Sequence, residues 1–247
     1  MTRLLPLILG ALPVLATSAA TAQEPSPAAP SVAAEGGARV SLSPLRIEMD
    51  GPEIAATLRV YNPSQVEAIG IQMRAFDWSQ ADGQDVYAPT GDVRITPAII
   101  TIEPGKTQVF RIIRREAAPA SERRFRIAID QLPDPKVKNT SMSETRIRFT
   151  VPMFVDRATS TPAALAWSIA GNALTVHNSG QQTPRMVNLA LTDASGGDIE
   201  VEGVSLHYIM GGSTLRWALP GGCPVGPVRL SATIDGEAVD AQVQPNC

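Results

Sequence analysis

The chain has 247 residues, and its 21 Lys+Arg against 24 Asp+Glu leave a formal net charge of −3. This balance argues against nucleic acid or an anionic membrane surface as a partner. Aromatic residues make up only 4% of the chain, which argues against a carbohydrate-binding surface built on exposed rings. The pattern of residues along the chain therefore carries most of the functional information.

The N-terminus has the pattern of an export signal. Arg3 precedes an apolar run from Leu4 to Leu15, and Ala20-Thr21-Ala22 forms a small-residue cleavage site. The apolar run is too short to span a bilayer. We expect residues 1–22 to be a cleaved signal peptide and residues 23–38, rich in Pro, Ala and Gly, to be a disordered leader. The protein is therefore expected to be exported without a membrane-inserted segment.

The pattern after the leader is β throughout. Short alternating or β-branched runs are separated by turn sequences such as Asp50-Gly51-Pro52 and Pro104-Gly105. No stretch combines a helical period with helix caps. The spacing predicts an antiparallel sandwich of Ig-like size over residues 39–157. A composition break rich in Ala and Thr follows, and further β runs with turns such as Asp235-Gly236 predict a second, smaller β-sandwich over residues 158–247.

The chemistry-bearing residues are few. The two cysteines, Cys223 and Cys247, lie near the C-terminus, and in an exported chain we expect them to form one disulfide. The two histidines, His177 and His207, lie in separate segments. The sequence contains no nucleophile elbow, P-loop, zinc-protease or dinucleotide-binding motif. We therefore expect no metal, no cofactor, no small-molecule substrate and no enzymatic activity.

The segment "ETRIRFTVPMFVD" has a bulky apolar face. In an extended chain Ile147, Phe149 and Val151 point one way, and Arg148 and Thr150 point the other. Most alternating strands bury their apolar face in their own domain. The same pattern is also compatible with a strand that offers this face to a partner, and alternation alone leaves both interpretations open.

Several motifs, in this order, resemble those of a known family: "VSLSPLRIEMDG", "ATLRVYNPS", "TPAIITIEPGKTQVFRI", "RRFRIAIDQLP" and "RFTVPMFVD". Through them residues 39–247 resemble the PapD-like periplasmic chaperones of chaperone–usher pilus assembly. The Pro152–Val155 ending of the last motif is more similar to the archaic branch of the family. The resemblance implies an all-β fold of two Ig-like β-sandwich domains in a boomerang arrangement. It also implies a periplasmic location, pilus or fimbrial subunits as partners, and delivery of those subunits to an outer-membrane usher.

The resemblance also implies roles for individual residues. The residues expected on a strand donated to the subunit are Ile147, Phe149 and Val151. Those expected to hold the subunit's C-terminal carboxylate are Arg46 and a second arginine, for which the candidates are Arg126 and Arg148. Those expected to form internal ion pairs near the domain junction are Arg111 and Glu122. The alternatives are an Ig-like structural or adhesive pilus subunit and a periplasmic carbohydrate-binding module.

Overall fold

The computed structural model describes residues 40–115, 121–133 and 147–247. The predicted signal peptide, residues 1–22, and the predicted leader, residues 23–38, lie outside these residues. Every regular element in the described ranges is a β-strand. Accordingly, no helix in this part of the chain is long and apolar enough to cross a membrane.

The described strands of the N-terminal domain are β1 (Ser41–Ser43), β2 (Ile47–Met49), β3 (Ala55–Tyr61), β4 (Ile69–Ala81), β5 (Gln84–Pro89), β6 (Val93–Thr96), β7 (Ile99–Ile102), β8 (Thr107–Arg114), β9 (Arg123–Leu132) and β10 (Arg148–Val155). They form a four-stranded sheet in the order β1-β3-β8-β6 and a six-stranded sheet in the order β2-β10-β9-β4-β5, with β7 beside β4. Alternate residues of the two sheets, including Leu58, Phe110, Phe125 and Ile127, are buried in one core between them.

The described strands of the C-terminal domain are β11 (Leu165–Ala170), β12 (Ala173–Asn178), β13 (Arg185–Thr192), β14 (Asp198–Ile199), β15 (His207–Tyr208), β16 (Thr214–Ala218), β17 (Val228–Ile234), β18 (Glu237–Val243) and β19 (Pro245–Asn246). One sheet has the order β16-β12-β11-β19, and the other has the order β14-β13-β17-β18 with β15 beside β13. A second core, which includes Leu174, Met186 and Leu230, lies between these sheets.

The two separate cores confirm the predicted all-β fold of two sandwich domains. The last strand of the first domain ends at Val155, and the first strand of the second domain begins at Leu165. The predicted disulfide between Cys223 and Cys247 is present. It ties the C-terminus to the loop that precedes β17.

Candidate functional site

Strand β10 has an open edge along its first half. Strand β9 pairs with β10 along its whole length in antiparallel fashion. On the other side, the short parallel strand β2 covers only Met153–Val155. The edge from Arg148 to Pro152 therefore has no partner among the described strands. Its backbone N–H and C=O groups form a template on which a strand of another chain can pair.

The apolar face of β10 becomes less buried toward its start. Val151 is 1% exposed and belongs to the core of its own domain. Phe149 packs against that core but is only partly buried, and Ile147, just before β10, is half-buried. The structure thus corrects the prediction for Val151, because β9 and the facing sheet hold its side chain inside the sandwich. Residues 134–146, which lead into this strand, lie outside the described ranges.

Arg46 and Arg126 flank β10 on its outer face. Arg126 of β9 is paired with Pro152. Arg46 immediately precedes Ile47, whose partner is Met153, so Arg46 lies beside Pro152 from the other side. Two strand spacings, about 10 Å, therefore separate the two arginine backbones. Their side chains share one face of the sheet, on either side of a proline.

This face meets the C-terminal domain through an aromatic cluster. Trp78 and Phe154 of the N-terminal domain are buried with Tyr208 and Met210 of the C-terminal domain. The Trp78 and Tyr208 ring centroids lie 5.0 Å apart at an interplanar angle of 82°. The cluster forms an apolar floor at the domain junction.

Both arginines stack on this floor. The guanidinium carbon of Arg46 lies 4.6 Å from the Phe154 ring centroid. That of Arg126 lies 3.6 Å from the Trp78 centroid and 5.0 Å from the Tyr208 centroid. Such stacking orients a guanidinium while its outer N–H groups stay available to an anion. The structure therefore brings Arg46 and Arg126 to one site between the domains.

The two guanidiniums differ in their ionic partners. Arg46 forms an ion pair with Glu48, and its Nη1 lies 3.6 Å from Oδ1 of Asp235. Arg126 has no acidic partner within the described residues. It lies near Tyr87, where burial and Asp85 raise the pKa of the tyrosine hydroxyl and Arg126 opposes that rise. Of the two stacked arginines, Arg126 is therefore the one whose charge is not paired with a carboxylate of the described residues.

Arg148 lies elsewhere, at the opposite end of β10 from Phe154. Its Nε donates a hydrogen bond of 2.5 Å to Asp130, which also accepts a hydrogen bond of 2.7 Å from Arg74. Burial opposes ionisation of Asp130, but the two arginines together hold the pKa of its carboxyl below the ordinary value. Arg148 thus belongs to a surface ion-pair cluster rather than to the site at the domain junction.

Glu122 lies at the domain junction. Its side chain is 0% exposed, and Oε2 accepts a hydrogen bond of 2.7 Å from Nη1 of Arg157. Arg157 also donates to the carbonyl of Thr183 at 2.9 Å and to Asp235 at 2.8 Å, and so links the two domains. Burial lowers the pKa of the neighbouring Arg124, and Glu122 opposes that shift. Arg157 was not among the residues that the sequence singled out.

Arg111 differs from its prediction. Its side chain lies on the exposed face of β8, and it forms no ion pair among the described residues. The buried arginine of β8 is Arg114, whose Nη1 lies 3.0 Å from Oδ2 of Asp156. Arg114 also donates to the carbonyls of Gly51 and Glu53. Three residues along a strand reverse the face on which a side chain lies, so Arg114 points into the domain and Arg111 points to the outside.

Polar contacts at Gln80 complete the junction. Its amide nitrogen donates to the carbonyl of Tyr208 at 2.7 Å, and its amide oxygen accepts from the N–H of Met210 and the hydroxyl of Ser213. A cavity of about 360 Å³ opens beside these contacts and is lined in part by Trp78 and Arg124. No group of His, Cys, Asp or Glu residues that could hold a metal ion occurs in the described ranges.

Comparison with known proteins identifies the family of the N-terminal domain. Residues 39–161 match the family described as pili and flagellar-assembly chaperone, PapD N-terminal domain. A comparison with curated proteins finds no significant match to the chain.

Solved structures share the fold of both domains. The chaperone–tip adhesion subunit pre-assembly complex of archaic Csu pili from Acinetobacter baumannii matches with a TM-score of 0.65 and 18% identity, over 85% of this chain and 100% of the matched chain. The SafA pilin–SafB chaperone complex of Salmonella enterica gives a TM-score of 0.61 and 20% identity, over 85% and 98%. The Escherichia coli chaperone DraB gives 0.58 and 20%, over 85% and 96%. With its N-terminal domain matched by sequence and both domains matched in fold, the chain belongs to the PapD-like family of pilus-assembly chaperones.

Proposed function

We propose that this chaperone acts in the periplasm and caps pilus subunits by donating strand β10. The open edge from Arg148 to Pro152 is the observation that carries the proposal. Subunits of the kind this family serves are Ig-like domains that lack their final strand, and their unpaired sheet edges promote aggregation. A strand paired along such an edge satisfies the backbone groups and fills the groove left by the missing strand.

The side chains that enter the groove are those of Ile147 and Phe149. Burial decreases from Val151 to Ile147, so β10 is anchored in its own domain at one end and available at the other. Each apolar side chain that becomes fully buried in the subunit stabilises the complex by about 1.5–3 kcal/mol. Val151 stays in the core of the chaperone and holds the donated strand in place.

The subunit's C-terminal carboxylate binds between Arg46 and Arg126. Pairing along a strand needs a fixed register, because a shift of one residue turns every side chain to the other face. Two guanidiniums on either side of Pro152 offer charge-assisted hydrogen bonds to one carboxylate. The carboxylate thus marks the end of the subunit strand, and pairing along β10 proceeds from that point.

The same proposal includes the partners and the compartment. The similar structures from Acinetobacter baumannii and Salmonella enterica are complexes of a chaperone with a tip adhesion subunit and with a pilin. By analogy, the partners of this chain are pilus subunits and an outer-membrane usher that receives them. The N-terminal signal pattern supports export to the periplasm.

Co-purification tests the proposal. The tagged full-length chain is co-expressed with pilus subunits encoded in the source genome, and complexes are isolated from the periplasmic fraction. We expect one or more subunits to be recovered as a soluble complex with the wild-type chain. Subunits that remain equally soluble and unbound when the chain is present would contradict the chaperone role.

A further inference from the structure

In the free chain, one of the two anchor arginines, Arg46, is paired with one of the chain's own carboxylates. Arg46 and Glu48 are two residues apart, so both side chains lie on the same outer face of the sheet. They form an ion pair beside the Phe154 ring, and their side chains are 31% and 42% exposed. A subunit carboxylate that reaches Arg46 must therefore compete with Glu48 for the same guanidinium.

The surroundings of Arg46 are already rich in negative charge. Arg46 pairs with Glu48 and Asp235, and Arg157 contacts these two and also Glu122, so that three carboxylates face two guanidiniums. A further carboxylate at Arg46 is repelled most directly by Glu48, because like charges at short range repel, and Arg126 is the cation of the site that offsets part of this repulsion.

Glu48 is the carboxylate that is free to leave. The side chain of Glu122 is fully buried against Arg157. Asp235 lies in a two-residue turn with φ values of 48° for Asp235 and 93° for Gly236, and its carboxylate also accepts hydrogen bonds from Arg157 and from the N–H of Arg185. Within the described residues, the Glu48 carboxylate contacts, apart from Arg46, only Arg157, at 3.8 Å, and it is the most exposed of the three.

We propose that Glu48 is a built-in competitor of the subunit carboxylate, and that binding exchanges the Glu48–Arg46 ion pair for a subunit–Arg46 ion pair. The exchange contributes little binding free energy by itself, since one carboxylate replaces another at the same guanidinium. A ligand therefore opens the site only when it also pairs along β10 and reaches Arg126. Glu48 thus makes the anchor selective for a carboxylate at the end of a strand over a small free anion. This inference rests on the proposed function of Arg46 as an anchor.

The test uses a synthetic peptide that spans the last strand of the co-purified subunit, as the free acid and as the C-terminal amide. Dissociation constants are measured by calorimetry for the mature protein and its variants. We expect Glu48→Gln to tighten binding of the free acid about two- to fivefold, the range set by partly exposed ion pairs, and to leave the amide unchanged. Asp240→Asn is the matched control, because it removes one negative charge from an exposed ion pair with Arg229 in the C-terminal domain.

Each outcome has a distinct meaning. Unchanged or weaker binding of the free acid to Glu48→Gln overturns the competition, and so does equal tightening for acid and amide or for Asp240→Asn. In the Arg46→Ala background, the effect of Glu48→Gln is expected to vanish, and its persistence would also overturn the proposal. If Arg46→Ala binds the free acid as well as the wild type does, the anchor itself fails, and this result is distinguishable from a failure of the competition alone.

Discussion

At the scale of single residues, the site depends on two arginines that stack on aromatic rings of the domain junction. Arg46 lies over Phe154, and Arg126 lies over Trp78 and Tyr208. Stacking already restricts the rotation of each guanidinium in the free chain. Binding of an anion therefore costs less side-chain entropy. Pro152 of β10, which lies between the two arginines, carries no charge. The second cation of the site, Arg126, comes from the neighbouring strand β9.

Arg46→Ala is expected to weaken binding of the subunit by about 2–5 kcal/mol, because the carboxylate of the bound subunit loses its partner. The free energy of unfolding is expected to change by under about 1 kcal/mol, since the ion pairs of Arg46 in the free chain are partly exposed. Titration calorimetry and urea unfolding measure the two quantities. Arg111→Ala, which removes an exposed arginine from the other sheet, serves as the control and is expected to affect neither.

Arg126→Ala and Arg148→Ala together identify the second anchor. We expect Arg126→Ala to weaken binding of the free-acid peptide at least tenfold and Arg148→Ala to change it by less than about twofold. Arg148→Ala is instead expected to lower the free energy of unfolding. It removes one of the hydrogen bonds that hold the pKa of the Asp130 carboxyl below its ordinary value. The stabilisation by ionised Asp130 is present above pH about 4, and it is lost as the pH falls through the folded-state pKa of this carboxyl. The reverse ranking in binding would assign the anchor to Arg148.

The sequence alone could reach only part of this site. The motifs fixed the positions of Arg46, just before β2, and of Glu122, just before β9, while the roles of both residues stay predictions. Arg126 and Arg148 could not be separated, since both project from the outer face of neighbouring strands. What separates them is contact with Tyr208, a residue of the other domain that strand patterns do not relate to β9. No sequence motif singles out Arg157, because its partners come from four distant segments of the chain.

At the scale of elements, β10 combines two roles that alternation cannot distinguish. Its second half is a central strand between β9 and β2, and its first half is an edge. The strand pattern predicted the sandwich because period-two burial is a local property of each strand. Which half of a strand is covered depends on the length of β2, and this length is set by the tertiary fold.

Ile147→Asp places a negative charge just before the edge half of β10. Val151→Asp places the same charge on the apolar face of β10 that is buried in the core. We expect Ile147→Asp to abolish capture of the subunit while the free chain keeps a cooperative thermal melt, because the site is only half-buried. Val151→Asp buries an unpaired carboxylate in the core and is expected to prevent cooperative folding. Circular dichroism melts and co-purification distinguish them. Loss of folding in both variants would show that the entire apolar face belongs to the chain's own core.

At the scale of the whole molecule, the two domains are joined by buried charge as well as by the aromatic cluster. Arg157 contacts Glu122 on one side and Thr183 and Asp235 on the other. The same Asp235 lies 3.6 Å from Arg46. The contacts that join the domains therefore also shape the charge around the anchor, so a change at the junction reaches the binding site.

Arg157→Ala is expected to lower the free energy of unfolding by about 3–5 kcal/mol, because it leaves the buried Glu122 carboxylate without its close partner. The double variant Arg157→Ala with Glu122→Gln is expected to recover part of this loss, since the buried side chain at position 122 is then neutral. Urea unfolding measures both. An unchanged midpoint for Arg157→Ala would show that the ion pair does not stabilise the junction.

Hydrogen–deuterium exchange of the chain, free and in complex with its co-purified subunit, reports on strand donation itself. In the free chain, the amides of residues 148–151 that point away from β9 have no strand partner in the described structure and are expected to exchange rapidly. In the complex we expect exchange of this segment to slow strongly, because its amides then bond to the subunit's strand. Unchanged exchange along β10, with protection appearing on another surface, would contradict strand donation by this chain.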